Sequence, residues 1–154
     1  MKHLLADFDR LRQRYPAGFE SSLVLPCLRR IQEDRGFIAE EDIDSLVAYL
    51  GVPRIQIEEV LSYYTQYRRE ATGRWRIEVC RNVSCSMRGA ERLLEHACRK
   101  LGVQPGETTA DGRFTLGTVE CLGSCGTAPV VVLNDAYHEN MSLDKLDALL
   151  GGLE

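Results

Sequence analysis

The 154-residue sequence lacks three features that would each indicate a familiar class of protein. Its 19 Lys and Arg against 23 Asp and Glu give a net charge of −4, which argues against a nucleic-acid-binding protein. No apolar run approaches the ~20 residues of a membrane span, so we expect no direct insertion into a membrane. The patterns G-x-G-x-x-G and G-x-x-x-x-G-K-[ST] are both missing, so no nucleotide or flavin site is indicated on this chain.

The N-terminal segment also lacks the features of a targeting sequence. MKHLLADFDRLRQRYP has no apolar signal core, and its Asp7 and Asp9 are unlike an acid-poor transit peptide. We therefore expect a cytosolic protein. Histidine is scarce, with only three residues, whereas cysteine is present six times. In a reducing compartment such cysteines are more often metal ligands or reactive thiols than disulfide partners.

Residues 1 to 70 show the hydrophobic periodicity of amphipathic helices and predict a helical bundle domain. The first helix should end at Pro16-Ala17-Gly18, and Ser21 or Ser22 can cap a second helix that stops at Gly36. A third helix should run from about Glu40 to Leu50, and a fourth should begin near Pro53. The predicted inward faces are Leu4, Leu5, Phe8, Leu11 and Tyr15; Leu25, Leu28 and Ile31; Ile43, Leu46, Val47 and Leu50; and Ile57, Val60, Leu61 and Tyr64.

Residues 71 to 154 show a different pattern, in which strands and helices mix. Trp75, Ile77 and Val79 alternate with charged residues, which predicts a half-buried strand that ends at Cys80. The order strand, helix, strand, hairpin, helix gives an α+β class and suits a small thioredoxin-like sandwich. The further predicted elements are a helix from about Ser86 to Leu101, strands at Phe114–Val119 and Val130–Leu133, a turn at Asn134-Asp135, and a helix from Asp144 to Leu150.

Four of the cysteines fall into two pairs at matching positions. Cys80 and Cys85 form C-x4-C after the first predicted strand, and Cys121 and Cys125 form C-x3-C in a glycine-rich loop after the second. If the two strands are neighbours, the four thiols converge at one edge of the sheet and can bind a metal. The spacing alone leaves open a [2Fe–2S] cluster, a zinc ion or disulfides. A Rieske centre needs two histidine ligands, and none lies beside these cysteines in the sequence.

Several stretches resemble the thioredoxin-like [2Fe–2S] ferredoxin subunit of the NADH-dehydrogenase module of respiratory complex I. They are VCRNVSC, MRGAERLLEH, GETTADGRFTL and VECLGSCGTAPVVVLND, with RRIQEDRGFI in the helical part. The resemblance covers almost the whole chain; only SYYTQY differs in detail from the expected segment. It implies one [2Fe–2S] cluster with Cys80, Cys85, Cys121 and Cys125 as ligands. It also implies a cis peptide bond before Pro129.

The resemblance carries further expectations about partners. FMN and NADH should be bound only by a flavoprotein subunit that also carries a [4Fe–4S] cluster, and other peripheral-arm subunits of the complex should be neighbours. The chain itself should then bind no substrate, show little NADH oxidation alone, and lie on the cytoplasmic side of the inner membrane as part of the complex. Two alternatives remain: the equivalent diaphorase subunit of an NAD-dependent hydrogenase or formate dehydrogenase, and a zinc-stabilised interaction domain.

The neighbourhood of the expected cluster should favour negative charge. Gly123 and Gly126 let backbone N–H groups approach the sulfurs, and the start of the helix at Ser86 adds partial positive charge. Arg81 and Arg88 are candidates to tune the potential, although exposed arginines of this kind are as often only solvated. Cys27 and Cys98 have no partner at ligand spacing and are expected to pack as small apolar residues.

Overall fold

A computed structural model describes residues 2–153 of the chain. The chain folds into two compact units, a helical unit that ends at Ala71 and a mixed unit that begins at Thr72. Each unit has its own hydrophobic core. Within residues 2–153, no helix combines the length and the apolar character needed to cross a membrane.

The helical unit contains the four helices that the sequence predicts. Two of them end at glycines with left-handed backbone, Gly36 at φ 91° and Gly51 at φ 70°, because glycine adopts this conformation without steric cost. The core between the helices includes Phe8, Leu28 and Ile43, each fully buried. The helices are α1 (Leu5–Arg12), α2 (Val24–Arg35), α3 (Glu40–Leu50) and α4 (Arg54–Tyr63), with short 3₁₀ turns at Lys2–Leu4 and Glu20–Leu23.

The predicted inner faces need correction at several positions. Leu25, like Leu11, Val47 and Val60, is half-buried and packs at the margin of the core. In α2, which continues from the 3₁₀ turn Glu20–Leu23, the buried positions are instead 24, 27, 28 and 31. The same continuation explains why neither Ser21 nor Ser22 caps α2. Leu5 remains exposed, and the other exceptions, Tyr15 and Tyr64, lie beyond the ends of α1 and α4 and are also exposed.

The mixed unit is built on a four-stranded sheet in the order β2-β1-β3-β4. The first two strands are parallel, and the third pairs with the first in the antiparallel direction. Its apolar core lies between the sheet and the two longer helices, and it includes Ile77, Leu116 and Leu146. The elements are β1 (Trp75–Cys80), α5 (Val83–Met87), α6 (Ala90–Leu101), β2 (Phe114–Val119), β3 (Val131–Leu133), β4 (Ala136–His138) and α7 (Leu143–Gly151).

This arrangement confirms the α+β class and corrects one predicted helix. The stretch predicted as one helix from Ser86 to Leu101 is two helices, because Gly89 adopts a left-handed conformation at φ 91° and ends the helical path. The first of them, α5, starts at Val83, so Ser86 is not a helix start. The peptide bond between Ala128 and Pro129 is cis, as predicted.

Candidate metal centre

The register of the sheet brings both cysteine pairs to the same edge. Cys80 at the end of β1 is the partner of Val119 at the end of the parallel strand β2. Cys121 comes two residues after Val119, so its loop leaves the sheet at the same edge as Cys80. The N–H of Arg81 donates to the carbonyl of Val119 at 3.0 Å, and the N–H of Cys80 donates to the carbonyl of Val130 at 3.1 Å. The segment that follows Cys125 therefore lies beside Cys80 at this edge of the sheet.

The first pair is buried, whereas the second pair is exposed. Cys80 and Cys85 each expose 2% of their surface, while Cys121 and Cys125 are accessible to solvent. The short helix α5 turns the chain so that Cys85 returns towards Cys80, and the hydroxyl of Ser86 steadies that turn by donating to the carbonyl of Arg81 at 3.1 Å. The edge thus presents two thiols on its inner side and two on its outer side.

Burial and neighbouring groups shift the pKa of Cys85. Burial raises the pKa of this thiol, and a hydrogen bond with the Cys80 thiol and the proximity of Cys125 raise it further. A backbone hydrogen bond from Val130 acts in the opposite direction, because an N–H group stabilises the thiolate. Cys80 and Cys125 are thus the two thiols that act on Cys85.

The fourth predicted ligand, Cys121, lies in a loop whose backbone bends towards its sulfur. The N–H of Gly123 is 3.4 Å from Cys121 Sγ, and Gly123 has a φ of 73°, which glycine adopts readily. The predicted role of this glycine is consistent with that geometry. Gly126 is different, because its φ is not left-handed and a Cβ built there would meet nothing within 4 Å.

The donor set at this edge fits a [2Fe–2S] cluster. It consists of four thiols, which is the ligand set of such a cluster, and the two pairs can serve one iron each. Within residues 2–153, no three His, Cys, Asp or Glu side chains are already arranged around a point that would hold a single metal ion.

Other charged groups are less directly involved than the sequence suggested. Arg81 Nε is 3.9 Å from a carboxylate oxygen of Glu120, and both side chains are largely exposed. Arg88 is also exposed. Because α5 has only five residues and begins at Val83, the expected contribution of a long helix starting at Ser86 does not apply.

The sequence profile of the family described as thioredoxin-like [2Fe–2S] ferredoxin matches residues 8–154. The chain belongs to this family.

Two curated relatives match most of this chain, and both are named as subunits of NADH-quinone oxidoreductase. The relative from Rhizobium meliloti (strain 1021) is 42% identical over 144 residues, which are 94% of this chain and 84% of the relative. The relative from Thermus thermophilus is 40% identical over 141 residues, which are 91% of this chain and 78% of the relative.

A solved structure has a similar fold. The crystal structure of an NAD⁺-reducing [NiFe]-hydrogenase in the air-oxidised state aligns with 82% of this chain at a TM-score of 0.70 and 24% identity. The aligned part makes up 22% of the hydrogenase chain, so the present chain spans less than a quarter of it. At this identity the likeness concerns the fold.

Sequence reasoning missed two features of the site. Val83 and Met87 are strongly exposed apolar side chains one helical turn apart on α5, on either side of Cys85. Glu139 accepts hydrogen bonds from the loop that carries Cys121 and Cys125. The i, i+4 spacing on a short helix signals the first feature. No sequence pattern signals the second, because it joins residues that only the fold brings together.

Proposed function

We propose that this chain is the iron–sulfur electron-transfer subunit of an NADH:quinone oxidoreductase, with one [2Fe–2S] cluster bound by Cys80, Cys85, Cys121 and Cys125. The observation that carries the proposal is the convergence of the two cysteine pairs at one sheet edge. It is supported by relatives that carry the name of this oxidoreductase and match over 90% of the chain. The bound cluster would supply one-electron transfer.

The four cysteines and the backbone around them would contribute to cluster binding in different ways. Buried Cys80 and Cys85 would keep water from the inner side, while exposed Cys121 and Cys125 would leave the outer side open to electron exchange. N–H groups that point at sulfur, such as that of Gly123, would offset the negative charge of the thiolates. We also infer that residues 1–70 form a bundle domain and residues 71–154 the cluster domain, close to the boundary between the two compact units.

We propose a flavoprotein subunit as the electron-transfer partner. It would bind FMN and NADH, carry a [4Fe–4S] cluster and sit with other peripheral-arm subunits on the cytoplasmic side of the inner membrane. The missing nucleotide patterns in this chain favour a separate flavin subunit. Val83 and Met87 expose 67% and 83% of their surface beside Cys85, and a partner that approaches the cluster would cover them. The diaphorase subunit of a hydrogenase is the alternative, since the hydrogenase structure shares the fold.

Metal content tests the first part of the proposal. Anaerobically purified protein should contain two irons and two sulfides per chain and show an EPR signal after reduction, as expected for one [2Fe–2S] cluster. The pure chain should show no NADH–ferricyanide activity above background. A colourless protein with one zinc per chain would instead establish the interaction-domain alternative.

Binding measurements test the partner. The loaded chain should bind the flavoprotein subunit of its own complex, and Met87→Glu should weaken that binding at least tenfold, because it places a charge in an apolar contact. Tyr137→Glu is the matched control, since Tyr137 is also exposed but lies on the edge strand β4. Equal weakening by both substitutions would argue against docking at α5.

A further inference from the structure

The side chain of Glu139 is hydrogen-bonded to the loop that carries Cys121 and Cys125. Glu139 Oε1 lies 2.7 Å from the hydroxyl oxygen of Thr127 and also accepts a hydrogen bond from the hydroxyl of Ser124. The two hydroxyl oxygens are themselves 2.9 Å apart. These hydrogen bonds hold the pKa of Glu139 below its usual range, so the side chain is ionised at neutral pH.

Backbone hydrogen bonds tie the same two segments together. The N–H of Asn140 donates to the carbonyl of Thr127 at 2.7 Å, and the N–H of Met141 donates to the carbonyl of Pro129 at 3.0 Å. Met141 exposes only 7% of its surface and belongs to the core of the mixed unit. The segment that carries Glu139 is therefore anchored, and it can serve as a fixed support for the cysteine loop.

The loop itself has few other anchors. Cys121 and Cys125 are exposed, and neither Gly123 nor Gly126 has a side chain that could pack. Leu122 reaches the core only in part. The hydroxyls of Ser124 and Thr127 are thus the main side-chain attachments of the loop, and both end on one carboxylate.

We propose that Glu139 is a positioning residue that clamps the loop so that Cys121 and Cys125 stay in place to bind the cluster. The proposal deepens the proposed function and rests on it, because it concerns how this chain retains its ligands. Without the clamp, the loop would sample conformations in which one thiol points away, and a bound cluster would then have an iron open to solvent or to a chelator. Glu139 would act through the two hydroxyls that its carboxylate contacts.

Iron release from the loaded full chain tests the clamp. With excess chelator, Glu139→Ala should lose iron at least tenfold faster than wild type, whereas Glu139→Gln should stay within threefold because its amide oxygen accepts the same two hydrogen bonds. Glu120→Ala is the charge control: it removes a carboxylate next to Cys121 whose nearest partner is Arg81 at 3.9 Å. Glu120→Ala should release iron within twofold of wild type.

The donor side of the clamp gives a second test of the same idea. The double substitution Ser124→Ala with Thr127→Val should match Glu139→Ala, and adding Glu139→Ala to it should cause no further increase, since coupled residues are not additive. Iron release at the wild-type rate in Glu139→Ala would overturn the proposal. Additive effects of the two sides, or equal loss in Glu120→Ala, would also overturn it.

Hydrogen exchange of the cluster-free full chain tests the clamp independently of the proposed function. The amides of Thr127 and Asn140 donate to Ser124 and Thr127 carbonyls, so Glu139→Ala should speed their exchange at least tenfold while amides of β1 keep their protection. Unchanged exchange would refute the clamp. A wild-type chain that binds no cluster but shows this exchange pattern would refute the proposed function and leave the clamp standing.

Discussion

The helical unit has one cysteine, which is buried, whereas the mixed unit has buried and exposed cysteines at one edge of its sheet. In the helical unit, Cys27 is fully buried between helices, and burial raises its pKa to about 12. In the mixed unit, Cys121 and Cys125 lie exposed on a glycine-rich loop at the edge of the sheet. Burial outweighs the opposing charge of Arg12 at Cys27, so this thiol behaves as a small apolar side chain, whereas an exposed thiol ionises more readily. The helical unit thus uses cysteine for packing, whereas the mixed unit also exposes it at the sheet edge where we propose that it binds metal.

The units also differ in what holds their surfaces together. In the helical unit, Arg54 pairs with carboxylates on two helices, including Asp44 at 2.6 Å and Glu58 at 3.0 Å. Such pairs supplement the apolar core of this unit. At the sheet edge of the mixed unit, Cys80 and Cys85 belong to the core, whereas the loop of Cys121 and Cys125 is exposed, so a bound cluster would connect that loop covalently to the core. Metal loading should therefore stabilise the mixed unit and leave the helical unit unchanged.

The largest expected effect comes from breaking the cysteine set at the sheet edge. Alanine at any one of Cys80, Cys85, Cys121 or Cys125 removes a thiolate and opens an iron coordination position. The [2Fe–2S] cluster should be lost or strongly altered, and the mixed unit should unfold at a lower temperature than the loaded wild type. Iron and sulfide content, the visible spectrum and thermal unfolding measure these changes.

Cys98→Ala is the control for that series, because Cys98 is half-buried on α6 and has no metal-ligand partner at matching spacing. It should leave the visible spectrum intact and cost about 1 kcal/mol of stability or less. A full cluster in Cys121→Ala, or a lost cluster in Cys98→Ala, would contradict the ligand assignment.

The second effect should be confined to the helical unit. Asp42 exposes 3% of its surface, accepts the N–H of Ala39 at 3.1 Å and lies 3.0 Å from the guanidinium of Arg35. Asp42→Ala should lower the free energy of unfolding of the helical unit by about 1–3 kcal/mol, because it uncaps α3 and leaves a part-buried N–H without its acceptor. Chemical denaturation followed by helical circular dichroism measures this loss.

Asp44→Ala is the matched control for Asp42→Ala. Asp44 lies on the same helix and pairs with Arg54, but its side chain is 70% exposed, so its removal should cost no more than about 1 kcal/mol. Neither substitution should change the visible spectrum of the cluster. A spectrum altered by Asp42→Ala would show that the two units depend on each other more closely than their separate cores indicate.

The third effect uses the thiol of Cys27. Because this thiol is fully buried and its pKa is raised to about 12, iodoacetamide should not label it in the native chain at pH 8, whereas Cys121 and Cys125 of the cluster-free chain should react readily. Cys27→Ala should cost about 1 kcal/mol and leave the cluster intact. Mass spectrometry of labelled peptides distinguishes the sites. Rapid labelling of Cys27 without denaturant would show that the helical core opens.

Local patterns predicted the elements of both units because they depend on nearby residues. The alternation of apolar and charged residues predicted strand β1, and its observed range is Trp75–Cys80. The glycine at position 51 predicted that α3 ends at Leu50, as the structure has it. The break at Gly89 was missed, since a single glycine inside an apolar pattern is also compatible with a continuous helix. The phase of α2 was missed because a preceding 3₁₀ turn fixes it.

The candidate site was predictable only in part, for a related reason. Paired spacing indicated that Cys80, Cys85, Cys121 and Cys125 belong together, and the parallel register of β1 and β2 places both pairs at one edge. The exposure of one pair and the burial of the other depend on tertiary packing. The contact of Glu139 with Ser124 and Thr127 joins two loops through side chains that no spacing rule connects.

The smallest expected effect concerns a charged contact between α6 and α7. Asp147 Oδ1 lies 2.5 Å from Lys100 Nζ and 2.8 Å from His96 Nε2, and these two partners lower the pKa of the carboxyl from its ordinary value of 3.8. A carboxyl whose pKa is lower in the folded state adds stability above its unfolded pKa, and that stability disappears as the pH falls through the folded pKa. Asp147→Asn should therefore lower the unfolding midpoint slightly at pH 7, by about 2 °C or less, because the contact is partly exposed. The difference from wild type should close as the pH falls below 3.8, and thermal scans at several pH values measure it.

Glu95→Gln serves as the control, since Glu95 is exposed on α6 and its nearest basic partner, Arg99, is 4.0 Å away. A difference between Asp147→Asn and wild type that persists unchanged in acid would mean that the contribution of Asp147 is not electrostatic.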